Sequence, residues 1–292
     1  MVIRRLSLFR RLLSSSASAK PVMVTSPIFY VNGSPHIGHL HSVVLCDALH
    51  RWHDFAASGS PRGFLSTGTD EHGLKIQQAA SRAGLAPLPF TTSVSSQFRS
   101  LADAAQADVS AFIRTTEPSH KHAVQTMWRT LRDRGFIYKD SYAGWYSVAD
   151  EAFVPESQTI VRGDSVRVAA DSGQPVEWLV EENYKFRLSA LVPRLLEWLH
   201  ARPDAVLPAS RHNEVVAWLE GKDIVDISVS RRKDKVQWAI DVPDDSEHSV
   251  YVWLDALTNY VTVTGYPYDG TSSYPIRLTI HPKLSKNNRT ID

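Results

Sequence analysis

The chain contains 292 residues, 43% of them hydrophobic and 22% charged, with a formal net charge of +1. This composition is ordinary for a globular protein, and the small net charge excludes a global basic field, so nucleic-acid binding would require a local basic patch. Cys46 is the only cysteine, which excludes an intrachain disulfide and a zinc site with several cysteine ligands, and no apolar run reaches the ~18 residues of a membrane-spanning helix.

The first twenty residues differ in composition from the rest of the chain. They contain four arginines, one lysine and five serines but no acidic residue, and the first carboxylate of the chain is Asp47. An arginine-rich, serine-rich, amphipathic segment without acidic residues is typical of a mitochondrial transit peptide. We therefore interpret residues 1–20 as a transit peptide and exclude them from the fold, with a disordered basic tail as the alternative.

Residues 21–84 predict two β-strands that alternate with two helices. The strand candidates are PVMVT (21–25) and RGFLST (62–67), and apolar residues at helical spacing predict helices over 39–55 and 74–84. The order strand, helix, strand, helix predicts an α/β fold whose two strands are parallel neighbours.

Two polar segments follow these strands. VNGSPHIGH (31–39) comes soon after the first strand, and GTDEHG (68–73) comes directly after the second. Because ligands of parallel α/β sheets bind beyond the carboxyl ends of the strands, we expect the two segments to meet at one edge of the sheet. Together they form one candidate site.

The remainder of the chain is predicted to contain three helices, a small β-rich insertion and three more strands. The helices are expected at 119–135, 187–201 and 211–221, the insertion near 136–180, and the strands at VDISVS (225–230), VQWAI (236–240) and VYVWLD (250–255).

The segment around His36 and His39 admits three interpretations. Two histidines three positions apart can share a helix face and bind a metal, but zinc needs three or four ligands, and neither a cysteine nor a carboxylate lies nearby in this segment. A phosphate site is favoured, because Asn32 and Gly33 predict a tight turn, Gly38 permits close approach of a ligand, and a helix N-terminus offers free N–H groups. The imidazoles would donate hydrogen bonds to developing phosphate charge. The third interpretation is a pair of surface histidines at a helix cap.

At this point the sequence resembles the class I aminoacyl-tRNA synthetases, whose HIGH signature it spells in full at 36–39. More narrowly, it is similar to the methionyl-tRNA synthetases in their mitochondrial form. Six stretches carry the resemblance, occur in the family's order and cover roughly residues 21–268. They are PIFYVNGSPHIGH (27–39), STGTDEHGLKIQQAA (66–80), YAGWYSVADEAFVPE (142–156), EENYKFRLS (181–189), DISVSR (226–231) and YVWLDALTNY (251–260).

The resemblance implies a Rossmann-like, parallel-sheet class I synthetase catalytic domain with a small β-rich connective insertion, incomplete at its C-terminus. The implied organisation has five parts. They are the transit peptide (1–20), the first half of the catalytic domain (21–135), the connective insertion with the following helix (136–205), the start of the second catalytic half (206–268) and a divergent C-terminal tail (269–292).

The implied activity is that of a methionine–tRNA ligase of the mitochondrial matrix. Such an enzyme activates methionine with ATP to methionyl-adenylate and transfers the methionyl group to tRNA(Met), with ATP as a substrate and Mg²⁺ as the implied metal. The resemblance assigns catalysis to His36, Gly38 and His39, and ATP binding to these residues with Asn32 and Gly33. It assigns methionine binding to Ile28, Tyr30, Asp70, Trp253, Ala256 and Tyr260.

Two of these assignments have simpler alternatives. Trp253 stands among apolar neighbours, and such an aromatic residue is usually part of a core. Asp70, together with Glu71 and His72, is also compatible with a solvated turn that caps a helix.

The sequence departs from the family pattern in two places. Ser147 and Asp150 stand where many relatives have zinc-binding cysteines, so we expect no structural zinc. The family's Lys-Met-Ser-Lys-Ser loop and anticodon-binding domain are not recognisable before Asp292, where only KLSK (283–286) imitates half of that loop. We therefore expect a truncated product with impaired activity. The alternatives are a non-catalytic fragment that binds nucleotide or methionine, and another class I aminoacyl-tRNA synthetase.

Overall fold

The computed structural model describes the chain from residue 22 to residue 268 with four short gaps. The described ranges are 22–56, 63–149, 152–162, 166–221 and 224–268. The predicted transit peptide, the predicted C-terminal tail and the KLSK segment lie outside them. The chain divides into two compact units, the first made of Met1–Val124 with Asp255–Asp292 and the second of Gln125–Leu254.

A parallel β-sheet forms the centre of the first unit. Its strands are β1 (Met23–Thr25), β2 (Phe29–Tyr30), β3 (Phe64–Asp70) and β4 (Ala111–Arg114). β3 runs parallel to each of the other three strands, and every residue of β3 after Phe64 is buried. A parallel strand covered on both faces is expected to lose its contact with water in this way. The predicted α/β fold with parallel strands is confirmed.

Four helices accompany this part of the chain, namely α1 (Ile37–Ala56), α2 (Leu74–Arg82), α3 (Pro87–Ala104) and α4 (Pro118–Asp133). The predictions of α1, α2 and α4 are confirmed, whereas α3 was not predicted. α3 begins with proline in its first turn, where the missing N–H has no helical partner to lose. It then buries Val94, Phe98 and Ala102, which recur every four residues and therefore lie on one face.

The second unit is rich in antiparallel strands, as predicted for the insertion. After α4 the elements are β5 (Ile137–Ser147), β6 (Ala152–Val154), β7 (Thr159–Arg162), β8 (Val166–Ala169), β9 (Val176–Phe186), α5 (Leu188–Ala201), α6 (Ala209–Glu220), β10 (Ile227–Ser228), β11 (Ser230–Arg232), β12 (His248–Val250) and α7 (Val252–Thr262). β5 and β9 pair from Ile137↔Phe186 to Ser147↔Val176. None of the described helices is long and apolar enough to cross a membrane.

Two strand predictions are wrong. Residues 236–240 have no regular secondary structure, and their apolar pattern reflects the burial of Val236 and Ile240 in a loop. Of the predicted strand at 250–255 only the first residue lies in β12, and residues 252–255 begin α7. α7 buries polar residues at helical spacing and exposes apolar ones such as Leu257, so its apolar pattern gave the wrong prediction.

The contact between β3 and β4 leaves no room for a side chain at Gly68. Gly68 lies opposite Ile113, and a Cβ added at Gly68 would overlap the carbonyl oxygen of Ile113. We expect Gly68→Ala to lower the free energy of unfolding by about 1–3 kcal/mol or more, because the two strands must separate. Urea unfolding measures this change. Gly33→Ala is the matched control, since an added Cβ meets nothing within 4 Å there. Equal stability of the two variants would contradict the prediction.

Candidate active site

The carboxyl ends of β2 and β3 lie side by side. Tyr30, the last residue of β2, is the Cα partner of Asp70, the last residue of β3. The Asp70 carboxylate accepts a hydrogen bond from the backbone N–H of His72, while its Oδ1 is buried without a hydrogen-bond partner among the described residues. Burial, with the negative charges of Asp255 and Glu71, raises the pKa of Asp70 well above its ordinary value. A buried acceptor that lacks a partner is suited to receive a cationic ligand group.

The HIGH turn, residues 36–39, folds the two histidine rings against the start of α1. The His36 N–H donates to Nδ1 of His39, and the Gly38 N–H donates to Nδ1 of His36, each at 3.1 Å. The ring centroids are 3.8 Å apart. Since both Nδ1 atoms accept hydrogen bonds, a neutral ring carries its proton on Nε2 and presents an N–H donor there. This arrangement favours an anionic ligand over a metal, which would require a free nitrogen lone pair.

The ring of His36 limits the space for a side chain at position 38. A Cβ at Gly38 would lie 3.0 Å from Cε1 of His36, so any side chain would push the imidazole away. Burial and the adjacent charge of His36 lower the pKa of His39 below its ordinary value.

Aromatic packing joins the HIGH turn to the sheet. The His39 ring lies edge-on to Phe29 and to Phe98, with centroid distances of 5.0 Å in both cases. Phe29 also stacks on Phe98 at 5.4 Å and directly precedes Tyr30 in β2. The HIGH turn therefore packs beside the end of β2, whose last residue pairs with Asp70. That the two loops form one ligand site stays a prediction.

Glu71 is completely buried and fully paired. Arg114 donates from Nε and Nη2 to the two carboxylate oxygens at 2.7 and 2.9 Å, and the hydroxyls of Thr69 and Thr116 donate at 2.6 Å. Burial opposes ionisation, but the hydrogen bonds, the largest of them from Arg114, lower the pKa of Glu71. The alternative that residues 70–72 form a solvated turn is wrong, because all three side chains are buried.

A third buried carboxylate, Asp255, is held between two histidines. Its Oδ2 lies 2.6 Å from Nδ1 of His72 and its Oδ1 lies 2.8 Å from Nε2 of His120. Burial alone would raise the pKa of Asp255, but the charge of His72 and the hydrogen bonds from His120 and His72 lower it to about 2. His120 and Asp255 are not predicted as site residues from the sequence, because they are 135 positions apart and no local pattern connects them.

The other predicted site residues of the first unit lie in two parts of the chain, residues 28–33 around β2 and helix α7. Asn32 and Gly33 are exposed in the bend between β2 and α1, and Ile28, just before β2, is partly buried. Ala256 and Tyr260 stand one turn apart on α7, the helix that also carries Asp255.

Trp253 stands apart from these residues in two respects. It belongs to the second unit, and it is 62% exposed, so the alternative that it is a core residue is wrong. Its part in methionine binding stays a prediction.

Comparison with known proteins identifies the family. The family described as "tRNA synthetases class I (M)" matches residues 22–274. The mitochondrial methionine–tRNA ligase of Xenopus laevis is 49% identical over 257 residues, which is 87% of this chain and 45% of the relative. That of Homo sapiens is 49% identical over 247 residues, which is 83% of this chain and 42% of the relative.

Solved structures that resemble this chain belong to the same family. One match is the crystal structure of Mycobacterium tuberculosis methionyl-tRNA synthetase bound by methionyl-adenylate, with 41% sequence identity to this chain and a TM-score of 0.76. The match covers 85% of this chain and 48% of that chain. The chain thus spans about half the length of the relatives that it matches. The HIGH turn, the parallel sheet and these matches together show that the chain belongs to the class I tRNA synthetase (M) family.

Proposed function

We propose that this chain carries the amino-acid and nucleotide site of a methionine–tRNA ligase. The reaction joins methionine and ATP to methionyl-adenylate with release of pyrophosphate, and then transfers the methionyl group to tRNA(Met). The observation that carries the proposal is the buried Oδ1 of Asp70, which has no hydrogen-bond partner among the described residues and lies at the same sheet edge as the HIGH turn. The solved relatives with bound methionyl-adenylate support it.

Methionine recognition follows from the charge and aromatic content of this edge. Asp70 receives the substrate ammonium, and Tyr30 beside it packs against the thioether. A sulfur–aromatic contact contributes about 0.3–1.5 kcal/mol, and a missing methylene costs about 1–3 kcal/mol, so homocysteine is the expected competitor. The resemblance alone assigns the remaining methionine contacts to Ile28, Trp253, Ala256 and Tyr260.

Nucleotide binding uses the start of α1. The triphosphate lies over the bend at Asn32 and Gly33, where the helix N-terminus attracts negative charge. The methionine carboxylate attacks the α-phosphorus and pyrophosphate leaves, so negative charge grows on the α-phosphate oxygens. The Nε2–H groups of His36 and His39 donate to that charge from fixed positions, and Gly38 keeps the backbone accessible. Mg²⁺ binds mainly through phosphate oxygens and water, so we expect it to enter with ATP.

The proposed setting is mitochondrial translation in the matrix. The names of the Xenopus laevis, Homo sapiens and Neurospora crassa relatives include the mitochondrion, and the composition of residues 1–20 is that of a transit peptide. The proposed partners are methionine, ATP and tRNA(Met).

Methionine-dependent exchange of pyrophosphate into ATP tests the proposed reaction. We expect exchange with methionine, weaker exchange with homocysteine and none with leucine. Exchange that prefers leucine would indicate another class I synthetase, and binding of methionine and ATP without exchange would indicate a non-catalytic binding fragment. Either result would contradict the proposal.

Removal of one HIGH donor tests the mechanism. We expect His39→Asn to lower the exchange rate about 100- to 1000-fold with methionine affinity unchanged, because a fixed donor to the transition state is lost. His41→Asn, an exposed histidine on the same helix, is the matched control and should retain the rate. Equal rates in the two variants would contradict a role of His39 in catalysis.

A further inference from the structure

Gly73 joins the end of β3 to the start of α2. It follows Asp70 by three residues and accepts the first hydrogen bond of the helix, since the Gln77 N–H donates to its carbonyl oxygen at 3.1 Å. Its φ of 115° and ψ of 165° lie in a region of backbone conformation that is essentially restricted to glycine. The turn therefore gives one reason for a glycine at this position.

The space beside Gly73 gives a second reason. Gly73 is buried, and an added Cβ would lie 2.9 Å from the hydroxyl oxygen of Tyr30 and 3.9 Å from its Cζ. The first distance is an overlap, whereas the second is an ordinary van der Waals contact. Among the described residues, apart from the chain neighbours of Gly73, only Tyr30 comes within 4 Å of that Cβ. The Tyr30 hydroxyl thus occupies the place of the missing side chain.

The sheet holds the backbone of Tyr30 in place against such an overlap. Tyr30 is the Cα partner of Asp70, and the N–H of the next residue, Val31, donates to the Asp70 carbonyl oxygen at 3.2 Å. The Tyr30 side chain is only partly buried, so it would yield by rotation about its side-chain bonds. A side chain at position 73 would therefore displace the aromatic ring of the residue that pairs with Asp70.

We propose that Gly73 is a positioning residue of the amino-acid site, because its missing side chain leaves the space for the Tyr30 hydroxyl and so fixes the Tyr30 ring against the bound amino acid. The inference rests on the proposed function for the identity of that amino acid, methionine. It gives the last glycine of GTDEHG (68–73) a part in recognition through Tyr30, in addition to the turn that it makes.

Methionine affinity in a double-mutant cycle tests the inference. We expect Gly73→Ala to lower the affinity measured by calorimetry about tenfold, a coupling typical of residues in contact. In a chain that already carries Tyr30→Phe, the same substitution meets no hydroxyl, and we expect it to lower the affinity at most about twofold. A role of Gly73 in the turn alone predicts the same loss in both chains. Equal losses, or no loss in Gly73→Ala, overturn the inference.

Gly84→Ala is the matched control for backbone strain. Gly84 lies beyond the other end of α2 with a φ of 66°, and an added Cβ meets nothing within 4 Å there. We expect this variant to lose stability, because its backbone conformation disfavours a side chain, and to retain methionine affinity. A loss of affinity in Gly84→Ala as large as that in Gly73→Ala would show that strain alone suffices, which overturns the inference.

Nuclear magnetic resonance of the chain without methionine separates the inference from the proposed function. With ¹³C-labelled tyrosine, the Tyr30 ring signals are assigned by their loss in Tyr30→Phe. We expect them to shift in Gly73→Ala and to stay in place in Gly84→Ala, and the absence of a shift in Gly73→Ala overturns the inference. If methionine does not bind to the unchanged chain, the proposed function fails, and these signals still decide whether Gly73 positions Tyr30.

A measurement on the unchanged chain covers the case in which Gly73→Ala does not fold. We expect a nuclear Overhauser contact between the α-protons of Gly73 and the ring protons of Tyr30 with methionine present. Its absence would show that the Tyr30 ring leaves Gly73 when the amino acid binds, which overturns the inference.

Discussion

Asp70→Asn is expected to abolish methionine binding and at the same time to stabilise the unliganded chain. Burial raises the pKa of Asp70, so the folded state disfavours the carboxylate relative to the unfolded state. The contribution of Asp70 to stability is therefore greatest below the ordinary carboxyl pKa and is lost as the pH rises through the raised pKa. An amide of the same shape has no charge to bury, so the stabilisation should appear at alkaline pH and vanish in acid.

Thermal unfolding and calorimetry measure the two effects. At mildly alkaline pH we expect the thermal unfolding midpoint of the Asp70→Asn variant to lie above that of the unchanged chain. The rise should be about 2–4 °C for each 1 kcal/mol that the unchanged chain loses by burying the Asp70 charge. Methionine affinity of the unchanged chain should increase as the pH rises through the Asp70 pKa, because the anion binds the ammonium. Asp103→Asn, an exposed carboxylate in α3, should affect neither quantity. A destabilised Asp70→Asn variant that still binds methionine would contradict this account of Asp70.

Arg114→Met is expected to give the largest loss of stability among the variants of the site. Without the guanidinium, Glu71 remains completely buried with an uncompensated charge, and breaking a buried pair in this way costs about 3–5 kcal/mol. The hydrogen bonds that lower the pKa of Glu71 stabilise the fold above the ordinary carboxyl pKa, and this contribution disappears as the pH falls through the lowered pKa. The loss in Arg114→Met should therefore be largest at neutral pH.

A double-mutant cycle tests the origin of this loss. The double variant Glu71→Gln with Arg114→Met should be more stable than Arg114→Met alone, because no buried charge is left unpaired. Arg51→Met removes an exposed arginine paired with Asp47 at 2.7 Å and should change stability little. Urea unfolding of the unchanged chain, Glu71→Gln, Arg114→Met, the double variant and Arg51→Met gives the comparison. If Arg114→Met costs no more than Arg51→Met, the buried pair does not stabilise the fold.

The sequence predicts the first half of the parallel sheet because local patterns there agree with the tertiary structure. The strands at 23–25 and 64–70 are continuous apolar or small-residue runs, and the helix between them has apolar residues at regular spacing. The parallel order then places the HIGH turn and Asp70 at the same edge, which the pairing of Tyr30 with Asp70 confirms. Chain order and chemistry alone therefore predict where the candidate site lies.

The sequence does not predict features that depend on contacts between distant segments. α7 was missed as a helix because it buries Asp255, Thr258, Asn259 and Thr262, and these polar residues become a core face only through partners such as His72 and His120. In the same way, the burial of Glu71 depends on Arg114, 43 positions away. No local periodicity contains that information.

A crystal structure of the chain with bound methionine tests the central claim most directly. The account predicts that the methionine ammonium lies about 2.7–3.2 Å from Oδ1 of Asp70, with the thioether beside Tyr30 and the carboxylate directed toward the HIGH turn. Methionine bound elsewhere, with Asp70 Oδ1 left without a ligand contact, would contradict it.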